Sequence, residues 1–215
     1  SVFTSDNKPY GLHRAREERF FVNKKVIAVR KCVGHPIFSY CDIECYLSQT
    51  FNMIQTDRVN LKYLTGLLNS KLIEFWLKNK GKMQGANYQL DKEPLQQIPI
   101  AVPSNDVQEI IAKLVDMIIL LNTTDERASE LVQNSYISSE LEKLIDGCIY
   151  EIYLPREMAG MSVVTVLRNY IKQKDSISID DIWKLYMKID STGIIESLNS
   201  LSLSNSETLR TIILS

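Results

Sequence analysis

Cysteine and histidine are scarce in this sequence, four Cys and two His in 215 residues. So few cysteines cannot staple a disulfide scaffold, and reduced thiols in a cytoplasmic protein are expected. With only His13 and His35 as imidazole bases, a Ser or Cys nucleophile has little to activate it, and no nucleophile-elbow pattern is present. Glycine is sparse as well, and none of the eight forms a phosphate-cradling loop or a dinucleotide fingerprint. Long apolar runs are missing. The longest strongly apolar run, Met117–Leu121, has five residues, against the roughly 20 that a membrane-spanning helix requires. The opening Ser1–Asp6 has no basic stretch followed by an apolar one, so no secretory leader is expected; because the first residue is not Met, a processed or excised chain is expected.

Net charge is almost absent, with 25 Lys and Arg against 26 Asp and Glu, but its distribution is uneven. Residues 1–100 hold 15 basic and 9 acidic side chains, a net of +6, whereas residues 101–215 hold 10 and 17, a net of -7. Two regions with different partners are expected. An apolar fraction of 45% and a charged fraction of 24% are ordinary for a globular chain and argue against extensive disorder.

The hydrophobic pattern divides at the same place. Val26–Val29, Ile37–Tyr40 and Tyr46–Gln55 read as strands, closely connected and so paired antiparallel within a small, mixed sheet region. Asn60 is a plausible N-cap for one long amphipathic helix, because Leu61, Leu64, Leu68, Leu72 and Phe75 recur at steps of three and four and Gly81 supplies the stop. Residues 81–88 read as a loop with two glycines, 91–97 as a short helix and 98–100 as an edge strand that tolerates Pro99. Beyond Pro103 the pattern is helical throughout. Val107, Ile110, Ile111, Leu114, Ile118 and Leu121 form an apolar stripe; Ser139-Glu140-Leu141-Glu142 reads as a capping box opening the next helix; and Ser162–Lys172 and Ile179–Ile189 are further helices, the latter started by Ser178. The expected organisation is α+β over residues 1–102, followed by an all-α region over residues 103–215.

Two chemistries compete for the first region. Cys32, His35, Cys41 and Cys45 are the right types for zinc, but the spacers lack knuckle geometry, and packed, unpaired cysteines are expected instead. Nucleic-acid binding fits better. Lys8, Arg14, Arg16, Arg19, Lys24, Lys25, Arg30 and Lys31 face only three acidic residues within residues 1–31, and Lys78, Lys80 and Lys82 cluster where the helix meets the loop. Such cations neutralise phosphates and release counterions. Gln84 and Asn87 carry amides suited to an adenine edge, and Lys82 suits guanine, each good bidentate contact contributing about 1–3 kcal/mol of discrimination. Tyr88 and the Gly34-His35 turn complete the candidate surface. The rival reading is a helical protein-interaction scaffold whose basic surface is incidental.

The segment Lys62-Tyr63-Leu64-Thr65-Gly66-Leu67-Leu68-Asn69-Ser70-Lys71-Leu72-Ile73, then Phe75-Trp76, the loop 81–88, and Leu95-Gln96-Gln97-Ile98-Pro99-Ile100, resembles the TaqI-like C-terminal specificity domain. The resemblance covers roughly residues 8–103, with a looser likeness to the helical tails of such enzymes beyond. That domain is the target-recognition part of adenine-specific DNA methyltransferases, including fused restriction–modification enzymes of type IIG. The resemblance implies a prokaryotic, cytoplasmic chain that binds double-stranded DNA and catalyses nothing alone. Charge and loop chemistry, consistent with it, place Arg14, Arg16, Lys24, Lys25, Arg30, Lys31, Lys78, Lys80 and Lys82 on phosphates and His35, Gln84, Asn87 and Tyr88 among the base-facing groups. It also implies a methyltransferase domain N-terminal in the same polypeptide. That domain would bind S-adenosylmethionine and hold the flipped base; no cofactor is expected in this segment, which contains no Asn-Pro-Pro motif.

Overall fold

A computed structural model describes residues 17–85, 87–171 and 177–215. The first region builds two small sheets and the helices that support them. After a single turn of helix, α1 (Arg19–Val22), come β1 (Lys25–Val29), β2 (Lys31–Val33), β3 (Phe38–Cys41) and β4 (Phe51–Ile54). Strand β1 is central in one sheet, paired with β3 and β4. The pairings are antiparallel in both sheets, as expected from the close connections. Val26 and Ala28 alternate into the core, as a half-buried strand requires.

The long helix expected from Asn60 is two helices, α2 (Leu61–Leu68) and α3 (Lys71–Lys80). Asn60 caps the first as expected, its side chain accepting from the Lys62 and Tyr63 amides. Two short polar residues then interrupt the apolar periodicity. Asn69 leaves the helix to bind β3, its Oδ1 accepting from the Phe38 amide at 2.9 Å and its Nδ2 donating to the Phe38 carbonyl at 2.7 Å. Ser70 closes α2 by donating to the Leu67 carbonyl at 2.7 Å and opens α3 by accepting from the Ile73 amide at 3.4 Å. Such side chains satisfy the backbone groups orphaned at helix ends, so two cap formers in succession make a joint.

The segment 81–88, expected as a loop, is mostly a hairpin: β5 (Lys82–Gln84) and β6 (Asn87–Gln89) flank a two-residue connection. Gly85 opens that connection at φ 62°, a left-handed conformation that hairpin turns demand and glycine adopts without strain. Strand β2, absent from the sequence-based expectation, adds to β6 and gives the order β2-β6-β5. A short helix, α4 (Lys92–Gln96), follows as expected. No strand forms at 98–100. That stretch is fixed by tyrosines instead: Tyr63 donates to the Ala101 carbonyl at 2.8 Å, while Tyr153 donates to the Pro99 carbonyl at 2.6 Å and accepts from the Ala101 amide at 2.8 Å. Side-chain hydroxyls thus take the place of a neighbouring strand.

The second region contains α5 (Asn105–Thr123), α6 (Asn134–Tyr153), α7 (Val163–Tyr170), α8 (Ile179–Asp190), α9 (Ile194–Asn199) and α10 (Glu207–Ile213). The expected box at Ser139 does not open α6, which begins at Asn134; Ser139 lies inside the helix and donates to the Tyr136 carbonyl at 2.7 Å. At Ser178 a capping box with Asp181 does open α8. The α5 stripe packs on α2 and α6, so one apolar core runs across Pro103, joining Tyr63, Leu64 and Leu67 to Ile111, Leu114, Leu141 and Leu144. Lys62 adds an ion pair across this seam, 2.6 Å from Asp116. None of the described helices is long and apolar enough to cross a membrane.

Close approach at the seam depends on Gly66. A Cβ there would sit 2.9 Å from Ile111 Cγ2 and 3.2 Å from Val115 Cγ2. Gly66→Ala is therefore expected to destabilise the chain by about 1–2 kcal/mol, overpacking outweighing the ~1 kcal/mol of helix propensity that alanine contributes. Thermal unfolding reads this directly, and a Tm above that of the parent would contradict the seam geometry.

Candidate nucleic-acid interface

The β2-β6-β5 sheet has two chemically different faces, set by the two-residue period of a strand. Across the middle row, Cys32, Tyr88 and Met83 are in register. Tyr88 is 5% exposed, and Cys32 and Met83 are half-buried against the core. The rows on either side belong to the opposite face. One aligns Lys31, Gln89 and Lys82; the other aligns Val33 and Asn87, with Gln84 opposite Asn87 in the backbone register. Lys31, Lys82, Val33 and Asn87 are exposed. The outcome is a cationic row beside a row with an amide, on a surface turned from the core.

This geometry revises the candidate list. Tyr88, expected at the DNA surface, lies on the inward face; desolvation raises its phenol above the ordinary range, and Glu74 adds to this. Lys25 is also a correction. Its side chain is fully buried, and its ammonium donates to the carbonyls of Phe21 at 2.7 Å, Asn23 at 3.0 Å and Ile43 at 3.0 Å. These backbone acceptors occupy the ammonium's three donors, so it is unavailable to a phosphate. Lys24 is exposed but sits at the other end of β1 from Arg30 and Lys31. Arg14 and Arg16 lie outside the described residues.

Arg30 is half-exposed and paired, its Nη2 3.0 Å from Asp91 Oδ1. Asp91 Oδ2 accepts from Gln89 Nε2 at 2.8 Å. Donation from Gln89, then from Arg30, holds the Asp91 carboxyl below its usual range. Asp91 thereby fixes Arg30 beside the Lys31–Lys82 row, a positioning role unseen in the sequence. Lys80 is exposed in the last turn of α3, immediately before the hairpin. Lys78, also exposed, donates to the carbonyl of Ser215, which ties α3 to the chain's far end. His35 follows the Gly34 turn and lines a groove of about 670 Å³ between β3, α2, α5 and α6.

That groove is acidic where the cation surface is not. Glu74, Glu142 and Asp146 line it beside Lys71. Asp146 accepts from the Lys71 amide at 2.8 Å, capping α3 from α6. Burial pushes its carboxyl up to about 7 against the opposing pull of that hydrogen bond and of the Lys71 charge. Glu142 is raised as well, chiefly by desolvation. The cysteines considered for zinc are free, with Cys41 Sγ 3.5 Å from Cys45 Sγ. Among the described residues no group of three or more His, Cys, Asp or Glu side chains is placed to hold a metal ion.

Residues 5–100 match the family described as the TaqI-like C-terminal specificity domain. This segment is similar to a TaqI-like specificity domain. Such a domain confers DNA sequence specificity in restriction–modification enzymes and is not itself catalytic. The match ends just where the tyrosine-fixed connection leads into α5, and it includes every strand of both sheets. Among curated proteins none matches the chain. Within the specificity domain, sequence reasoning missed Val33, Gln89 and Asp91. The first two were visible in principle, since Lys31-Cys32-Val33 and Asn87-Tyr88-Gln89 alternate polar or exposed residues with one that packs.

Proposed function

We propose that this chain binds duplex DNA through the outward face of β2-β6-β5 and delivers the site to a separate methyltransferase domain. That domain methylates adenine N6 with S-adenosylmethionine, in a prokaryotic cytoplasm, and this chain binds no cofactor itself. The observation carrying the reading is the alignment of Lys31 and Lys82 on one exposed face with Asn87 one row away. An exposed sheet face of this kind suits the major groove, where lysines hold phosphates and amides meet base edges. Arg30, fixed by Asp91, and Lys80 at the end of α3 extend the cationic rim. His35, at the neighbouring turn, contacts DNA only at its margin, and Lys24 and Lys78 contribute long-range attraction rather than close contacts. The acidic helices brace the specificity domain from behind, away from phosphate.

The test is equilibrium binding of labelled duplexes over a salt series. Lys31→Ala with Lys82→Ala is expected to weaken binding to all sequences and to reduce the slope of log K against log salt by about 2, since each phosphate contact contributes about 0.9. Asn87→Ala is expected to leave the slope alone and change the preferred sequence. An unchanged slope in the double variant would place the phosphate contacts elsewhere.

A further inference from the structure

Among the outward-facing side chains of the β2-β6-β5 sheet, one does not fit a phosphate-holding surface. Val33 is 83% exposed, in a face whose other described members are Lys31, Lys82, Asn87 and Gln89. It contributes almost nothing to the core, so its side chain is free to meet a ligand. Its backbone is in register with Asn87, so the two side chains stand on the same face at adjacent strands, about 5 Å apart. Gly34 and Gly85 close the strands at this end of the sheet with φ 82° and 62°, and among the described residues nothing lies within 4 Å of where a Cβ would be on either.

An apolar group and a carboxamide side by side on an exposed sheet face match one feature of the major groove. The A·T pair presents N6 and N7 of adenine to an amide, and the C5-methyl of thymine is the one apolar group exposed there. We infer that Val33 is a specificity-determining residue that packs on a thymine C5-methyl while Asn87 takes an adenine edge, so that the recognised sequence contains an A·T pair at this place. The inference rests on the DNA-binding reading and adds a base and an atom to it. Valine suits such a contact because its β-branch is held stiff at χ1 in a strand, and little side-chain freedom is lost when it packs.

The experiment uses the 215-residue chain and duplexes with a randomised core. Selection first gives the preferred sequence. Each thymine of that sequence is then replaced singly by deoxyuridine, which removes the methyl and keeps every hydrogen-bonding group. One replacement is expected to weaken binding about fourfold, the worth of burying one methyl-sized group. In Val33→Ser, which should fold normally because the site is exposed, that penalty is expected to vanish. If a preferred sequence emerges but no uracil weakens binding, or if the same uracil weakens Val33→Ser equally, the assignment of Val33 is overturned while the DNA-binding reading stands. If no duplex binds, both fall.

Discussion

Lys25→Ala is expected to lower the unfolding free energy by about 2–4 kcal/mol, a large fraction of the stability of an ordinary domain. Removing the ammonium leaves three inward-pointing carbonyls, those of Phe21, Asn23 and Ile43, without their donor. Each buried unsatisfied acceptor costs about 1–3 kcal/mol, and water entering the space left by the truncated side chain recovers part of it. The damage should spread, because these carbonyls tie α1 and the chain after β3 to the first strand, where Phe21 and Tyr46 also stack with ring centroids 4.8 Å apart. Lys24→Ala, one residue away and exposed, is the control, expected within about 0.5 kcal/mol of the parent. Urea unfolding with both variants checks the contrast. Equal midpoints would mean that Lys25 is solvated and its charge still available to DNA. At a denaturant concentration where Lys25→Ala remains folded, its salt dependence of DNA binding is expected to equal that of the parent.

That contrast shows where the sequence was readable and where it was not. Lysines 24 and 25 are indistinguishable in a charge count, and only the placement of Ile43, 18 residues further on, decides that one of them is internal. Local signals survived better. Asn60 and Ser178 cap the helices they were expected to cap, because a cap needs only its own next few residues. Ser139 failed as a cap because α6 was already under way by then, its start fixed further upstream at Asn134. The leucine spacing across residues 61–75 continued through Asn69 and Ser70, and periodicity alone could not reveal that Asn69 has a partner in β3. At 81–88 the error was of weighting: two glycines suggested a loop, while Lys82-Met83-Gln84 and Asn87-Tyr88-Gln89 already carried the alternation of a hairpin around a Gly-led turn. Reading that alternation would have turned Tyr88 inward and brought Val33 into view.

The charge division also acquires a consequence at the seam. Asp146→Asn is expected to be more stable than the parent at pH 8 and to lose that advantage as the pH falls toward 4. Asp146 sits at the N-terminus of α3, where the helix dipole and the Lys71 amide favour a carboxylate, but burial opposes charge more strongly and its carboxyl is pushed up from 3.8 to about 7. A folded-state value above the unfolded one means that the folded protein holds this proton more tightly. The resulting stability is complete below about pH 4, declines as pH rises, and is gone above about pH 7 to 8. Asparagine keeps an oxygen for the Lys71 amide and carries no charge to desolvate. Its advantage at pH 8 should approach 4 kcal/mol at most, about three pH units at 1.36 kcal/mol each. The groups around it act on both sides: Glu142 on the same helix and Glu74 on α3 raise the value, while Lys71 lowers it. Across the groove His35 lowers the neighbouring Glu142, whose own titration runs in the same direction as that of Asp146. Urea midpoints of both proteins at pH 5 and pH 8 measure the difference. An advantage that is equal at the two pH values, or a loss of stability at pH 8, would show that the helix N-terminus holds Asp146 ionised throughout. The expected result instead makes the junction between the specificity domain and its acidic helices weakest above neutral pH, where α6 carries its full negative charge against α3.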